Sequence, residues 1–452
     1  MTPAVAPLVR VVVLNFDGGP LTLACLDSLL ATDYPADRLE IVLVDNGSLD
    51  DVVERVRREY PRVRVIEPFA NLGFAGGCNL GIRAPGAFDY LALINNDATV
   101  SPGWLRPLVG VLEGAPDVAA ASPKMLFADR YVAVELRVPG ACTPSPFDAR
   151  ELGVRVSGVR VDGRRCDARV TFGEGFYAPE PPDPTRDEEL ARWTHARATM
   201  RIAVADAHPP RTLSIRVAAA AADQRVTGDG GAGAATAVVG TQPVWMDVPV
   251  GPPFDVINNA GSSLYPHAFG GDRGFLQRDR GQYDEPAETF GWCGGAVLLR
   301  REYLDTVGLF DESLFLYYED FDLSWRGRLR GWRYRYEPAS VVRHRHAATS
   351  GEWSPIFRFH TERNRVVVAV KNAPAGVAAW EVLAETKRLC AAIVHHVVAP
   401  LVRLRWPKRA EPSHRWRVWR SLVRLLPSAL RHRWREPIVV SRVSILRWET
   451  RT

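Results

Sequence analysis

Residues 90–97, Tyr-Leu-Ala-Leu-Ile-Asn-Asn-Asp, form a short apolar run that ends in three polar side chains. Comparable strand-like runs occupy residues 8–14, 39–44 and 63–66, with helix-forming segments at 21–31 and 51–60. Short apolar strands alternating with helices predict an α/β fold, a parallel sheet covered by helices on both faces. In such sheets ligands bind beyond the carboxyl ends of the strands. The polar residues expected at those ends are Asn15, Asp45, Asn46, Asn95, Asn96 and Asp97.

The middle of the chain has a different character. Short, partly alternating segments are separated there by Gly, Pro and Asp, at residues 197–204, 212–219, 235–239 and 244–250. This spacing predicts a small all-β, sandwich-like module inserted into the α/β domain. The expected division assigns 1–140 and 254–375 to two halves of an α/β core, 150–253 to the inserted module and 376–452 to a helical tail.

Basic charge is concentrated in the tail. Residues 387–452 hold 16 Lys and Arg against three acidic residues, a net charge of +13, whereas the rest of the chain carries −8. Apolar residues recur between the arginines at helical spacing: Trp416, Trp419, Val423, Leu426, Leu430 and Trp434. This pattern is typical of a basic amphipathic helix, interrupted at Pro427, that lies on an anionic membrane surface. The alternative is a helical tail that packs on the body or on a partner chain.

Cysteine usage and the absence of targeting signals favour a cytoplasmic protein. The six cysteines form no CxxC pair, which supports neither a zinc site nor a disulfide framework. The N-terminus lacks the basic and apolar regions of a signal peptide, and the longest apolar run, residues 389–402, is too short to span a bilayer. We therefore expect a cytoplasmic protein, peripheral on the inner face of the cytoplasmic membrane. No recognised nucleic-acid module accompanies the Arg-rich tail, so no nucleic acid is expected as a partner.

Two motifs in the first half suit a nucleotide. Asp45, in Val-Asp-Asn-Gly-Ser at 44–48, can accept a hydrogen bond from the imide N–H of uracil or thymine. The bland alternative is a turn or helix-capping Asp. The Gly-rich stretch from Asn71 to Gly81 lets backbone approach a ligand and opens a helix whose N-terminus favours anions. The alternative is a flexible turn, and the absence of a following Lys excludes a GxxxxGK[ST] phosphate loop.

Asp97 is the candidate metal ligand of the first half. A hard cation that bridges two phosphates needs oxygen ligands at a rigid strand end, and Asp97 supplies a carboxylate. Asn95 and Asn96 can hydrogen-bond ribose or phosphate. The alternative is an Asx-turn that ends the strand. One carboxylate holds a divalent cation weakly, so this motif needs a partner.

An acidic group and a histidine in the second half supply that partner and a base. Asp320 falls where a helix begins and can remove a proton from a sugar hydroxyl, with Glu319 or Asp322 orienting it. The alternative is a carboxylate that caps the helix. His344 follows one helix and one strand later. One alternative is that His344 is a surface histidine, and another is that His346 is the ligand instead.

A glycine-rich segment with one tryptophan precedes a further buried strand. Trp292 can pack its ring on the C–H face of a sugar, and Gly294 and Gly295 let a ligand approach the backbone. The alternative, a core tryptophan, has equal weight.

In this order the motifs resemble family 2 glycosyltransferases of the GT-A fold, closest to bacterial rhamnosyltransferase-like and galactofuranosyltransferase-like members. The resemblance covers about residues 8–140 and 254–375. It rests on residues 11–16, 44–48, 71–79, 95–97, 292–301 and 318–326, His344, and 359–365. One departure is Asn95, which stands where many relatives carry Asp and would weaken the metal requirement.

The resemblance implies a role for each matching residue. Residues 1–140 would be the nucleotide-binding half and 254–375 the acceptor and catalytic half. Asp320 looks like the catalytic base, assisted by Glu319. Asp97 and His344 look like metal ligands for Mg²⁺ or Mn²⁺. The nucleotide-sugar site would comprise Asn15, Asp45, Asn46, Asn71, Gly73, Phe74, Asn79, Asn95, Asn96, Arg363 and Asn364. The acceptor site would comprise Trp292, Gly294 and Gly295.

The implied activity is an inverting, metal-dependent transfer of a sugar from a dTDP- or UDP-linked donor. The sugar would be rhamnose- or galactofuranose-like, and the acceptor a hydroxyl of a cell-wall, polysaccharide or lipid-linked glycan. The competing function is a non-catalytic carbohydrate-binding protein with a decayed transferase core, in which the β module binds glycan.

Overall fold

The computed structural model describes residues 5–143, 150–180, 191–204, 209–345, 354–404, 406–407 and 409–450. His346 lies outside these ranges. The chain forms two compact units. One combines Met1–Ala128 with Ile257–Thr452, and the other is Asp129–Val256.

The first half of the larger unit alternates strands and helices as expected. Its elements are β1 (Val9–Asn15), α1 (Gly19–Leu30), β2 (Leu39–Asp45), α2 (Val52–Glu59), β3 (Val63–Ile66), α3 (Gly73–Ile82), β4 (Tyr90–Asn95), β5 (Ala98–Val100), α4 (Leu105–Gly114) and β6 (Val118–Phe127). Strand β1 pairs in parallel with both β2 and β4, and β2 pairs in parallel with β3. The carboxyl ends of β1, β2 and β4 therefore meet at one edge of the sheet.

The smaller unit is all-β. Its strands are β7 (Arg130–Arg137), β8 (Val154–Val161), β9 (Arg164–Arg165), β10 (Val170–Phe172), β11 (Arg192–Trp193), β12 (Arg197–Val204), β13 (Thr212–Ala219), β14 (Gln224–Asp229), β15 (Ala234–Val239) and β16 (Val244–Pro249). They form two antiparallel sheets, ordered β10-β12-β7-β14-β15 and β11-β8-β13-β16. Alternate residues of both sheets, such as Val134 and Ile215, fill one shared core. This unit includes β7, which pairs with β12 and β14, so it begins before residue 150.

The second half of the larger unit extends the sheet and adds helices. Its elements are β17 (Ile257–Asn259), β18 (Ser262–Tyr265), β19 (Phe269–Asp272), β20 (Ala287–Glu288), β21 (Ala296–Arg300), α5 (Arg301–Val307), α6 (Glu319–Leu329), β22 (Arg333–His344), α7 (Pro355–Asn372), α8 (Ala375–Ile393), α9 (Ala399–Val402), α10 (Ala410–Arg435) and α11 (Arg442–Ile445). The main sheet runs β20-β22-β6-β21-β4-β1-β2-β3, with β17 beside β6 and β5 beside β22. Strand β21 is antiparallel to β4 and β6, so the sheet is mixed rather than wholly parallel.

Helices cover both faces of this sheet because its strands are apolar on both sides. Val11 and Val13 of β1 join one core with α1 and α4, whereas Val12 joins a second core with α3 and α5. The α/β fold class with its all-β insertion and helical C-terminal region, expected from the sequence, is confirmed.

The C-terminal helices are part of the larger unit, and α10 contacts α7 and α8. Leu422 and Ala429 are buried in the same core as α7. The expected break at Pro427 is wrong, since α10 continues through it. Proline removes one backbone donor, and the packing against α7 and α8 tolerates that loss. Among the described residues, no helix has both the length and the hydropathy required to cross a bilayer.

Candidate active site

A cavity of about 540 Å³ opens where the carboxyl ends of β1 and β4 meet the first turns of α3 and α6. That volume is within the usual range for small-molecule sites. Most of the residues singled out from the sequence line it: Asn46, Asn71, Gly73, Phe74, Asn95, Asn96, Asp97, Gly294, Gly295, Glu319, Asp320 and His344. Residues far apart in the chain therefore share one space.

The start of α3 is shaped by Asn46. Its Nδ2 donates to Asn71 Oδ1 at 3.0 Å and to the carbonyl of Gly73 at 3.1 Å, while its Oδ1 accepts from Leu72 N at 2.9 Å. Gly73 has φ +70°, and a Cβ there would lie 2.4 Å from the carbonyl oxygen of Phe315. Glycine is therefore required by both conformation and space.

Asn15 and Asp45 are buried and joined by a hydrogen bond, and neither is among the residues that line the cavity. Asn15 Nδ2 donates to Asp45 Oδ1 at 2.7 Å, and Asn15 Oδ1 accepts from Thr22 Oγ1 and Asn96 Nδ2. Asp45 also accepts from the Ser48 hydroxyl at 2.6 Å. These hydrogen bonds connect the carboxyl ends of β1, β2 and β4.

Asp97 and His344 meet on one wall. His344 Nε2 lies 3.0 Å from Asp97 Oδ1 and 3.2 Å from Asn95 Nδ2. On the other side of the ring, Nδ1 lies 3.0 Å from Asn258 Oδ1. When Nδ1 carries the proton and donates it to Asn258, the Nε2 lone pair is directed at the cavity wall shared with Asp97.

Asp320 is fixed by backbone donors. Its Oδ2 accepts from Gly294 N at 2.8 Å and its Oδ1 from Phe321 N at 2.7 Å. Burial raises the pKa of Asp320 above its usual value, although these N–H groups oppose the shift. A carboxylate with a raised pKa that is held in place suits proton abstraction.

Glu319 is 5% exposed, and its Oε2 has no hydrogen-bond partner in the described part of the chain. Burial, together with the charge of Asp320, holds the pKa of Glu319 well above its usual range. Glu319 therefore holds its proton more tightly than an ordinary glutamate does.

Asp322 faces away from the cavity. Its carboxylate contacts Lys371 at 2.8 Å, Arg326 at 2.9 Å and Asn372 at 2.8 Å. Burial opposes ionisation, but the two cations hold the pKa of Asp322 below its usual value. This ion cluster anchors α6 to α7.

The loop before α6 is strained. Phe315, Tyr317 and Tyr318 all have positive φ, a conformation that non-glycine residues rarely adopt. Asn364 Nδ2 lies 2.7–2.9 Å from the carbonyls of residues 314, 316 and 317. Arg363 Nη2 donates to the carbonyl of Leu314 at 2.8 Å. Neither Arg363 nor Asn364 lines the cavity; both hold the loop that carries the base.

Asn79 and Trp292 lie outside the cavity lining. Asn79 exchanges hydrogen bonds with the backbone of Phe310 and is fully buried. The Trp292 ring is also fully buried, edge-on to Phe310 with 6.1 Å between ring centroids. Trp292 is thus the core tryptophan of the alternative interpretation, and it supports the floor beneath Gly294.

Several lining residues were missed from the sequence, among them Asn258, Phe269, Asp272, Phe315 and Phe357. Asn258 and Asp272 come from β17 and β19, short strands whose sequences carry no periodic signal. Burial raises the pKa of Asp272 to about 6, and the charge of Asp320 adds to the shift. The described ranges contain no group of three or more His, Cys, Asp or Glu side chains arranged for a metal ion.

Similarities to known proteins are found in both the family model and individual relatives. Residues 10–137 match the model of glycosyl transferase family 2. An N-acetylglucosaminyltransferase of Bradyrhizobium elkanii is 31% identical over 131 residues, 28% of this chain and 70% of that relative. The N-acetylglucosaminyl-diphospho-decaprenol L-rhamnosyltransferase of Mycobacterium tuberculosis is 44% identical over 69 residues, 15% of this chain and only 22% of the relative's length.

Among solved structures, a mannosyltransferase from Pyrobaculum calidifontis in complex with GDP-Man and Mn²⁺ is similar at a TM-score of 0.41 and 14% identity, over 94% of this chain and 88% of the other. A TM-score this low carries no information about substrate. The sequence relatives and the α/β core with its strand-end cavity agree: the chain belongs to the family 2 glycosyltransferases.

Proposed function

We propose that this protein transfers a sugar from a nucleoside-diphosphate donor to a hydroxyl of a glycan acceptor, with inversion at the anomeric carbon. The observation that carries the proposal is that Asp97, His344 and Asp320 line one cavity although they come from opposite halves of the core. A base, a carboxylate–imidazole pair and a strained loop around one cavity are expected of an active transferase and not of a core that has lost its activity. Family membership supports the same reaction class.

In the proposed reaction, Asp320 takes the proton of the attacking acceptor hydroxyl. The N–H groups of Gly294 and Phe321 hold the carboxylate in one orientation, which reduces the freedom lost on reaching the transition state. One displacement from the face opposite the leaving group inverts the anomeric centre. Glu319 is buried beside Asp320 and its Oε2 has no hydrogen-bond partner in the described part of the chain, so we assign it to the support of Asp320 rather than to proton transfer.

A divalent cation fits the pair Asp97 and His344. Asp97 Oδ1 and His344 Nε2 lie 3.0 Å apart on the cavity wall, which brings a carboxylate and an imidazole, two usual ligand types for divalent cations, to one place. Mg²⁺ or Mn²⁺ bound there would neutralise charge on the diphosphate leaving group. With two protein ligands, the remaining positions would belong to phosphate oxygens and water, as is usual for Mg²⁺.

For the donor we propose a dTDP- or UDP-linked sugar of the rhamnose or galactofuranose kind. The mycobacterial relative is named as a rhamnosyltransferase, which supports the first. The rhizobial relative is named as an N-acetylglucosaminyltransferase, so UDP-N-acetylglucosamine belongs in the same screen. Nucleotide release should appear with one of these donors and an acceptor, and should fall on addition of EDTA. No release with any donor would reject the proposal and favour a carbohydrate-binding protein.

We propose further that the acceptor is lipid-linked and reached from an anionic membrane surface. Exposed apolar side chains cluster between α8 and α10: Ile393, Val394, Val398, Leu401, Val402, Leu404 and Trp406. Trp416, Val423 and Leu430 of α10 are also exposed, seven residues apart and therefore on one helix face. Exposed arginines, such as Arg417 and Arg420, flank them. We call the exposed apolar side chains, without the arginines, the apolar surface.

The apolar surface begins close to the cavity. Ile356 and Phe357 in the first turn of α7 line the cavity mouth. The next residue, Arg358, forms an ion pair with Glu411 in the first turn of α10 at 2.8 Å. Trp406, 94% exposed, is five residues before Glu411. A lipid-linked glycan whose lipid remained in the bilayer could therefore present its sugar to the cavity.

A further inference from the structure

Asp272 is a carboxylate in the cavity that none of the roles above uses. It ends β19 and lines the cavity together with Gly270, Gly294 and Asp320. We propose that Asp272 accepts a hydrogen bond from a second hydroxyl of the acceptor sugar and so directs the attacking hydroxyl toward Asp320. The inference rests on the proposed function.

The side chain is held in place on one side only. Asp272 Oδ1 accepts from Asn259 Nδ2 at 2.5 Å, and Asn259 is 1% exposed with its own Oδ1 bonded to Gly261 N at 2.7 Å. Among the described residues, Asp272 Oδ2 has no hydrogen-bond partner. One oxygen thus orients the carboxylate and the other remains for a ligand, the arrangement expected of a binding group.

Two consecutive asparagines fix both sides of the cavity. Asn258 Oδ1 lies 3.0 Å from His344 Nδ1, whereas Asn259 holds Asp272. Neighbouring residues of a regular strand point to opposite faces, but the pairing of β17 with β6 shifts between Ile257 and Asn259. Such a bulge redirects a side chain and is common beside active sites.

The position of Asp272 relative to the base is also fixed. Gly270 N, in the same strand, donates to the Tyr318 hydroxyl at 3.3 Å, and Tyr318 immediately precedes the helix that carries Asp320. A side chain on Gly270 would meet the Phe321 ring at 2.8 Å, so β19 lies directly against that helix. The charge of Asp320 raises the pKa of Asp272, which is consistent with this proximity.

Other roles fit Asp272 less well. A third metal ligand is not supported, because the described residues contain no group of three His, Cys, Asp or Glu positioned for a metal ion. Proton abstraction is already served by Asp320, whose two oxygens are held by backbone. A charged acceptor in a partly desolvated wall binds hydroxyl groups more strongly than a neutral one would.

The test compares wild-type protein with Asp272→Asn and the matched control Asp305→Asn, an exposed carboxylate of α5. Kinetics are measured with the octyl glycoside that wild-type protein glycosylates fastest, and with its monodeoxy derivatives. We expect D272N to raise the acceptor KM by about 10- to 100-fold, with a smaller effect on the donor KM. Wild-type protein should use one monodeoxy acceptor less efficiently than the parent acceptor. D272N should use that deoxy acceptor and the parent equally well.

A purely structural role would instead penalise all the acceptors, parent and deoxy, by the same factor in D272N, and that result overturns the inference. Asn259→Ala, which leaves the carboxylate charge in place, should show the same selective loss more weakly and guards against misfolding of D272N. If wild-type protein glycosylates none of the octyl glycosides and releases no nucleotide, the proposed function fails and this inference with it. If wild type is active and D272N has an unchanged acceptor KM, only the inference on Asp272 fails.

Discussion

His344 Nε2 lies 3.0 Å from Asp97 Oδ1, which joins the last residue of β22 to the turn between β4 and β5. The backbone supports the same contact, because Arg345 N donates to the carbonyl of Asp97 at 3.0 Å. Strands β22 and β5 pair antiparallel with His344 opposite Ala98. Main-chain hydrogen bonds therefore help to hold the candidate metal ligands Asp97 and His344 together. Asn258, the partner of His344 Nδ1, allows their role to be tested.

Asn258→Ala should weaken metal use without removing a proposed ligand. The imidazole loses the partner that orients it, and losses of this kind cost about 10- to 100-fold in metal affinity. We expect the Mn²⁺ concentration for half-maximal nucleotide release to rise by that factor, while saturating Mn²⁺ restores most activity. Asn259→Ala is the neighbouring control and should leave the metal titration unchanged. An unaltered titration for N258A would remove His344 from metal binding.

Asp320→Asn should abolish transfer while the nucleotide still binds. Asn keeps the shape and can still accept from Gly294 N, but it cannot take a proton, and loss of a general base costs about 10²- to 10⁴-fold in rate. Transfer is measured by product formation and nucleotide affinity by calorimetry, with D305N as the control for an exposed carboxylate. Wild-type turnover in D320N would exclude Asp320 as the base.

Glu319→Gln should stabilise the protein at neutral pH. The pKa of Glu319 is raised in the folded state, so the folded protein keeps a proton that the unfolded chain loses, and stability falls as pH rises above the ordinary glutamate value of about 4.3. Gln has no proton to lose. Thermal unfolding should show E319Q gaining stability over wild type as pH rises from about 4 to 8. Glu302→Gln, at an exposed position of α5, is the control variant, and a stability difference between E319Q and wild type that is independent of pH would contradict the raised pKa of Glu319.

Asn364→Ala separates a loop-holding role from donor binding. The carbonyls of residues 314, 316 and 317 would lose a shared donor, a change worth about 1–3 kcal/mol. The strained loop that carries Tyr318 would relax, so we expect kcat to fall with little change in donor KM. A rise in donor KM at constant kcat would instead favour the direct donor contact implied by the family resemblance.

The sequence predicted which segments meet at the cavity better than it predicted what each side chain does there. Strand ends can be located from apolar runs, so Asn95, Asn96 and Asp97 were found, and the distinctive acidic helix start led to Asp320. A polar residue at a strand end looks the same whether a ligand or a neighbour uses it. Asp45 accepts hydrogen bonds from Asn15 and Ser48. Asn79 bonds to the backbone of Phe310 and to the Glu312 carboxylate, which only the folded chain reveals.

Asn258 and Asp272 had no local signal at all. Each belongs to a strand of three or four residues that follows the β module, and each acquires its position from pairing with distant segments. Helix α10 shows the opposite case. Its apolar spacing correctly predicted a helix, but the pattern could not show that Val418 and Leu422 are buried while Trp416 and Val423 are exposed.

Leu404 and Trp406 of the apolar surface lead to a prediction about membrane binding. Leu404 and Trp406 are almost fully exposed, at 98% and 94%, whereas Trp419 is partly covered and donates to Thr386 Oγ1 at 3.2 Å. Replacing Leu404 and Trp406 together by Ser should therefore reduce flotation with vesicles containing phosphatidylglycerol, without lowering the thermal midpoint. Burying two such side chains in a bilayer is worth about 2–4 kcal/mol on apolar area alone, enough for a roughly 30- to 800-fold change in partitioning. As a control, Val238→Ser, at an exposed apolar position of the β module, should float like wild type. Equal flotation of the L404S/W406S variant would assign the exposed side chains to a partner chain instead, and binding to neutral phosphatidylcholine vesicles as strong as to anionic ones would remove the arginines from the contact.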